Sequence, residues 1–220
     1  MGEDARYVPA LRYRALTALY DPVVRLTSRE GAFKRRLLEI AELKAEDRVL
    51  DLGCGTGTLA IAAERAQPGA EVTGLDGDPE ILARARQKAS SAGAHVDFDQ
   101  GHSTDLPYDD GRFDVVLSTL FFHHLEPAAK RATAAEIARV LRPGGRLLVA
   151  DWGPPQDALM RIAFLAVRSL DGFELTRENA EGALPSIFTD AGLQRAEQVD
   201  QLRTATGTMA FYVATAPRPK

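Results

Sequence analysis

From about residue 48 the chain alternates short apolar runs with stretches whose apolar residues recur at helical spacing. That is the pattern of a parallel sheet covered by helices on both faces. The runs predict strands over 48–52, 71–75, 95–98, 113–118 and 146–151. Between them, Leu59, Ala62, Ala63 and Ala66 fall at i, i+3, i+4, i+7, as do Ala134, Ile137, Ala138 and Leu141. Each set predicts a helix with one buried stripe. Asp78-Pro79 predicts a further helix start, since aspartate caps a first turn and proline is tolerated in it; this helix buries Leu82, Ala85 and Ala89. The third strand, His95-Val96-Asp97-Phe98, is short and alternating, which predicts an edge position. Arg142-Pro143-Gly144-Gly145 stops a helix and turns into the next strand.

Beyond Asp151 the pattern changes. Leu159, Ile162, Ala163, Ala166, Val167 and Leu170 predict one amphipathic helix, and Leu184, Ile187, Phe188 and Ala191 another that ends at Gly192. Runs over 194–202 and 208–215 predict an antiparallel closing hairpin. The first forty-odd residues are helical in pattern and precede the first strand, so residues 1–45 are expected to pack beside the mouth of the sheet as a lid. Residues 46–220 are expected to form one α/β domain with a helical insertion at about 155–180. With 220 residues, 45% of them hydrophobic and 26% charged, the chain has the composition of one ordinary globular domain and not of a disordered one.

A net charge of −4 gives no electrostatic footprint for a polyanion, which excludes nucleic acid as the expected partner. The densest basic stretch, Lys34-Arg35-Arg36, reads as a solvated helix face. One cysteine, Cys54, permits neither a disulfide within the chain nor a cysteine-based metal site. The N-terminal residues Met1 to Arg6 are acidic where a secretory signal is basic, and no stretch approaches the ~18 apolar residues of a membrane span. A cytoplasmic protein, without membrane insertion, is expected; the oligomeric state is open.

The strongest chemical signal is Val49-Leu50-Asp51-Leu52-Gly53-Cys54-Gly55-Thr56-Gly57, an apolar strand running into a glycine loop that opens a helix. Glycine allows a sharp turn and lets a ligand approach main-chain atoms that a Cβ would block. An acid, Asp76, ends the next strand. A dinucleotide fingerprint would need glycine or alanine where Thr58 stands, and Asp51 sits poorly beside a pyrophosphate. The same Asp51 suits a cationic ligand.

These segments resemble the class I S-adenosylmethionine-dependent methyltransferases. Asp51 to Gly57 resembles that family's first motif, Val72 to Asp76 with Asp78-Pro79 its second, Asp105-Leu106-Pro107 and Phe113-Asp114-Val115-Val116 the exit of the third strand and the fourth strand, and Leu141 to Gly145 the turn before the fifth. Tyr20-Asp21-Pro22 is similar to the small-molecule branch that includes the quinone-biosynthesis C-methyltransferases. The resemblance implies a Rossmann-like three-layer sandwich with a seven-stranded sheet of order 3-2-1-4-5-7-6, the last strand antiparallel. It also implies S-adenosylmethionine as cofactor and a small-molecule acceptor. Asp51 and the amides around Gly53, Cys54, Gly55 and Gly57 would hold the methionine portion, and Asp76 both ribose hydroxyls, because a carboxylate offers an oxygen to each.

Two positions depart from the family. Gly77 follows the ribose acid where an apolar residue often packs on adenine, and His102-Ser103 stands where many relatives have Asp-Ala. Gly77, His102, Ser103 and, at the end of the fourth strand, Ser118 complete the expected cofactor side. The fourth strand is followed by Ser118-Thr119-Leu120-Phe121 and not by the Pro-Pro-Tyr type of motif that holds a planar nitrogen. His123 and His124, beyond that strand at the carboxyl edge, are the expected bases if the acceptor must lose a proton, with Tyr20 next. No metal is expected, since adjacent residues of a loop seldom point the same way. A non-catalytic S-adenosylmethionine-binding or regulatory protein is the rival reading, and a nicotinamide-dependent oxidoreductase a more distant one.

Overall fold

The computed structural model describes residues 30–218. Strands β1 (Arg48–Leu52), β2 (Glu71–Asp76), β3 (Val96–Gln100), β4 (Phe113–Thr119), β5 (Leu141–Trp152), β6 (Gln194–Arg203) and β7 (Thr208–Thr215) form one sheet of order β3-β2-β1-β4-β5-β7-β6. The pairs from β3 through β5 are parallel, and β7 runs antiparallel to both of its neighbours. This is the predicted topology, with β3 and β6 at the edges. β6 is polar along most of its length, as an unprotected edge requires.

Helices α1 (Glu30–Ala41), α2 (Thr58–Ala66), α3 (Pro79–Ala92), α4 (Pro127–Val140), α5 (Ala158–Asp171), α6 (Phe173–Ala180) and α7 (Leu184–Asp190) cover the sheet. The period of two sorts the strand residues between two cores. Val49, Val115, Leu117, Leu148 and Ala150 face α1, α2, α3 and α5, while Leu50, Val116, Leu147 and Val149 face α4 and α7. Asp78 caps α3 as expected, accepting from the Glu80 and Ile81 N–H groups, with Leu82, Ala85 and Ala89 buried.

Three expectations are corrected. The insertion helix α5 buries Met160, Phe164 and Val167, and the predicted stripe is largely turned outward: Leu159, Ile162 and Leu170 are 62%, 66% and 69% exposed. The aromatic Phe164 stacks near Trp152 and takes the core position. In α2, Ala66 is exposed while Ala60 and Ile61 are buried, because the helix meets the sheet at its first turn. Of Lys34-Arg35-Arg36, the two arginines are exposed as expected, but Lys34 is not: its side chain is 13% exposed and its ammonium bonds Glu30 at 2.6 Å. Of the expected lid, α1 is described, and it packs on the sheet through Phe33, Leu37 and Ala41. Tyr13, Tyr20 and Asp21 lie outside the described residues. Among the described residues, no helix is long and apolar enough to cross a membrane.

Candidate active site

The register aligns Leu52 with Leu75 on one side and Ser118 on the other, and Thr119 with Ala150, so the carboxyl ends of β1, β2, β4 and β5 open on one edge. In an open α/β sheet that edge, at the reversal of strand order between β1 and β4, is where ligands bind.

The glycine loop leaves β1 there. Gly53, Gly55 and Gly57 have φ of 71°, 53° and 70°, in the left-handed region that glycine enters without a Cβ penalty. Backbone bonds stitch the loop to β2: the Gly53 and Cys54 N–H groups both donate to the Leu75 carbonyl, at 2.9 and 3.0 Å. Asp76 finishes the closure. Its Oδ2 accepts from the Gly55 N–H at 2.9 Å and its Oδ1 from the Asp78 N–H at 3.0 Å. Each carboxylate oxygen has two lone pairs, so one acceptor position remains on each. Gly77 stands between these contacts, half-buried. Cys54 is buried, and burial pushes its thiol pKa well up, so it serves the loop as a small apolar group.

Asp51 points to the α2 side, fully buried. Its Oδ2 accepts from the Ala60 N–H at 3.0 Å, capping the first turn of α2, whose own N-cap, Gly57, has no side chain to do so. Its Oδ1 is buried without a hydrogen-bond partner among the described residues. Burial raises the pKa to about 7, against the opposing charge of Lys34 and the Ala60 N–H. A buried carboxylate oxygen left over is a place for a cation.

Gly53 and Gly55 divide the loop between protein and opening. A Cβ at Gly53 would run into the Phe121 ring, whereas one at Gly55 would meet nothing within 4 Å. Ser118, fully buried, donates to the Leu52 carbonyl at 2.9 Å and ties the ends of β1 and β4 together. His102 is exposed and bridges backbone to Asp105, and Ser103 shares a 2.8 Å hydrogen bond with Thr133 of α4. The loop carrying these two residues follows β3, beside the Asp76 end of β2, while Leu106 is buried under it.

The loop after β4 is pinned by a residue that the sequence reading missed, Asp151 at the end of β5. Leu120 turns that loop with φ 51°. Asp151 Oδ2 accepts from the Phe121 and Phe122 N–H groups at 3.0 and 2.8 Å, and Oδ1 from the Trp152 N–H at 2.7 Å. Oδ1 also lies 2.7 Å from His123 Nδ1. Burial pushes this carboxyl up, but the His123 charge and hydrogen bond and the Trp152 N–H together hold it below the usual range. The visible signal was an acid at the end of an apolar strand, the position that singled out Asp76. His123 and His124 form a 3₁₀ turn with Phe122 that stacks the two rings at 3.9 Å between centroids, so these neighbours do share a direction. Asp171, the last residue of α5, brings its Oδ2 to 3.6 Å from His123 Nε2. His124 is pulled down to about 3 by burial and by His123.

Residues 49–145 match the family described as a methyltransferase domain. The chain is 41% identical over 147 residues to the demethylmenaquinone methyltransferase of Thermus thermophilus, covering 66% of each, and 33% identical over 154 residues to that of Deinococcus radiodurans, covering 69% of this chain and 63% of the relative. The chain belongs to the class I S-adenosylmethionine-dependent methyltransferases. The chain spans about half to two thirds of the length of the curated relatives it matches. The methyltransferase fold is shared with the YcgJ protein of Bacillus subtilis, at a TM-score of 0.66 and 21% identity, over 85% of this chain and 98% of that one. The family's cofactor is S-adenosylmethionine, and the residues present fit it. An orphaned oxygen of Asp51 suits an ammonium, the spare acceptors of Asp76 suit two hydroxyls, and the space before Gly55 admits a ligand to the main chain.

Proposed function

We propose that this chain transfers a methyl group from S-adenosylmethionine to a small, partly apolar acceptor held on the His123–Asp151 side of the carboxyl edge. The observation that carries the reading is the glycine loop closed on Asp76 beside the orphaned buried oxygen of Asp51. When bound, the cofactor supplies an electrophilic methyl on a sulfonium. The work left to the protein is to align the two reactants and exclude water. Asp51 takes the ammonium, Asp76 the ribose hydroxyls, and Phe121, packed on Gly53, walls the loop.

On the acceptor side, Asp151 fixes the His123 ring by taking the Nδ1 hydrogen, which leaves Nε2 as the acceptor. Where the acceptor must lose a proton as its new bond to carbon forms, that proton goes to His123 Nε2. His124, with its pKa pulled down to about 3, is a weak acceptor. The name of the Thermus relative makes a quinol that lacks the ring methyl the first acceptor to assay. The net charge of −4 and the exposed Leu159, Ile162 and Leu170 on α5 support an apolar small molecule over nucleic acid.

The test is mass spectrometry of demethylmenaquinol incubated with the protein and S-adenosylmethionine carrying a deuterated methyl. The label is expected on the quinol. His123→Asn, which keeps a donor toward Asp151 but removes Nε2, should slow turnover roughly 10²-fold or more while leaving cofactor affinity unchanged. Turnover at the wild-type rate would remove His123 as the base, and failure of every small acceptor offered would count against the reading.

A further inference from the structure

Helix α5 is apolar on two opposite faces. Met160, Phe164 and Val167 enter the core, while Leu159, Ile162, Leu165 and Leu170 are 62%, 66%, 44% and 69% exposed, and Phe173 at the start of α6 is 49% exposed. A helix that is apolar all round belongs in an apolar surrounding, and a contiguous exposed apolar patch marks a surface that something covers. Charge on this helix has one sign. From Ala158 to Leu170 it holds Arg161 and Arg168 and no acid, in a chain whose net charge is −4. Seven residues apart, these arginines fall on the same flank of the helix, two turns from each other. Arg168 lies over the Phe173 ring at 4.8 Å and donates to Thr176, with further donors of its guanidinium to spare. The acids that bound the patch are engaged: Asp157 with Arg203 at 2.7 Å and Glu174 with Arg177 at 2.6 Å, while Asp171 lies 3.6 Å from His123 Nε2.

We propose that the outward face of α5 docks on an anionic lipid surface, with Leu159, Ile162, Leu165, Leu170 and Phe173 in the outer acyl region and Arg161 and Arg168 at the phosphates. A helix lying in the interface plane needs one apolar stripe and basic residues beside it, which is the arrangement here. Arginine suits the flank because its aliphatic stem lies along apolar surface while its guanidinium reaches the phosphate. The charge pattern favours lipid over the other occupants. A second copy docked face to face would set one acid-free helix against another, leaving the arginines without a carboxylate. Residues 1–29 of this chain carry five arginines against three acids and so do not complement the patch either.

Docking goes beyond the methyltransferase reading and does not depend on it. Its consequence for the reaction does rest on that reading: α5 ends beside the histidine turn, so an apolar acceptor leaving a bilayer at this face would reach the carboxyl edge without crossing open water.

The full chain is sedimented with sucrose-loaded vesicles of phosphatidylcholine alone and of phosphatidylcholine with phosphatidylglycerol at three to one. Saturable binding to the mixed vesicles is expected, weaker to phosphatidylcholine alone and weakened by added salt. Ile162→Gln should loosen it roughly tenfold or more through lost apolar burial, and Arg161→Gln about fivefold through lost charge. Melting temperatures of both variants should stay at the wild-type value, since these side chains point away from the core. No sedimentation with either vesicle, or binding that both variants retain, would overturn the proposal. So would a dimer in light scattering that Ile162→Gln dissolves, which would assign the face to a second copy. Calorimetry with S-adenosylmethionine on the same samples separates the two readings: vesicle binding by a chain that takes no cofactor would sink the methyltransferase reading alone, and cofactor binding by a chain that ignores vesicles would sink docking alone.

Discussion

At Gly53 and Gly55 the same left-handed backbone stands in opposite surroundings, one against the Phe121 ring and the other before open space. An L-residue in this conformation costs about 1–2 kcal/mol by itself. Gly53→Ala adds a collision with Phe121, so its melting temperature should fall well below that of Gly55→Ala, which is expected to lose roughly 2–8 °C at this chain length. Binding should respond in the reverse sense. Gly55→Ala places a methyl in the ligand's approach and is expected to weaken S-adenosylmethionine binding by more than tenfold while the protein stays folded. Thermal melts and a binding titration on the two variants check this, and wild-type affinity in Gly55→Ala would show that the cofactor does not approach the main chain there.

Asp151 connects elements: one carboxylate at the end of β5 holds the N–H groups that start the loop after β4 and the ring of His123. Asp151→Ala leaves those donors buried without a partner and should destabilise the protein by about 3–5 kcal/mol. Asp151→Asn keeps an acceptor oxygen and should lose less. The midpoint of urea unfolding measures the difference, and equal midpoints would show the loop to be held by other contacts. β1, β2, β4, β5 and β7 were legible in the sequence because each carries an apolar run, β3 because its residues alternate, and α3 because aspartate and proline mark its start. The outward turn of α5 was not legible. Leu159, Ile162 and Leu170 share a helical stripe with the spacing of a core, and what overrides it is the fit of Phe164 beside Trp152, a tertiary contact that spacing does not encode. Asp151 was missed for the same reason, since its contacts depend on the strand order that brings the end of β5 under the loop after β4.

For the molecule as a whole, the proposed cofactor site is an acidic one. The chain is acidic overall and sets two carboxylates against the glycine loop, Asp76 half-buried beside Gly55 and Asp51 fully buried against α2. Asp76 was legible as a strand-ending acid, and Asp51 as part of a motif; the burial that raises Asp51 was not, because it follows from how the strand end packs against the first turn of α2. With its pKa raised to about 7, Asp51 favours the folded free protein below the unfolded value of about 4, and that contribution is lost as pH rises through about 7. A bound ammonium favours the ionised form, so binding at pH 5.5 must expel a proton and binding at pH 7.5 mostly need not. The most direct test of the account is titration calorimetry of the purified chain with S-adenosylmethionine at pH 5.5 and 7.5. It predicts saturable one-to-one binding at both, roughly tenfold or more tighter at pH 7.5, with proton release at pH 5.5. No binding of S-adenosylmethionine at either pH, with a nicotinamide dinucleotide binding in its place, would contradict it.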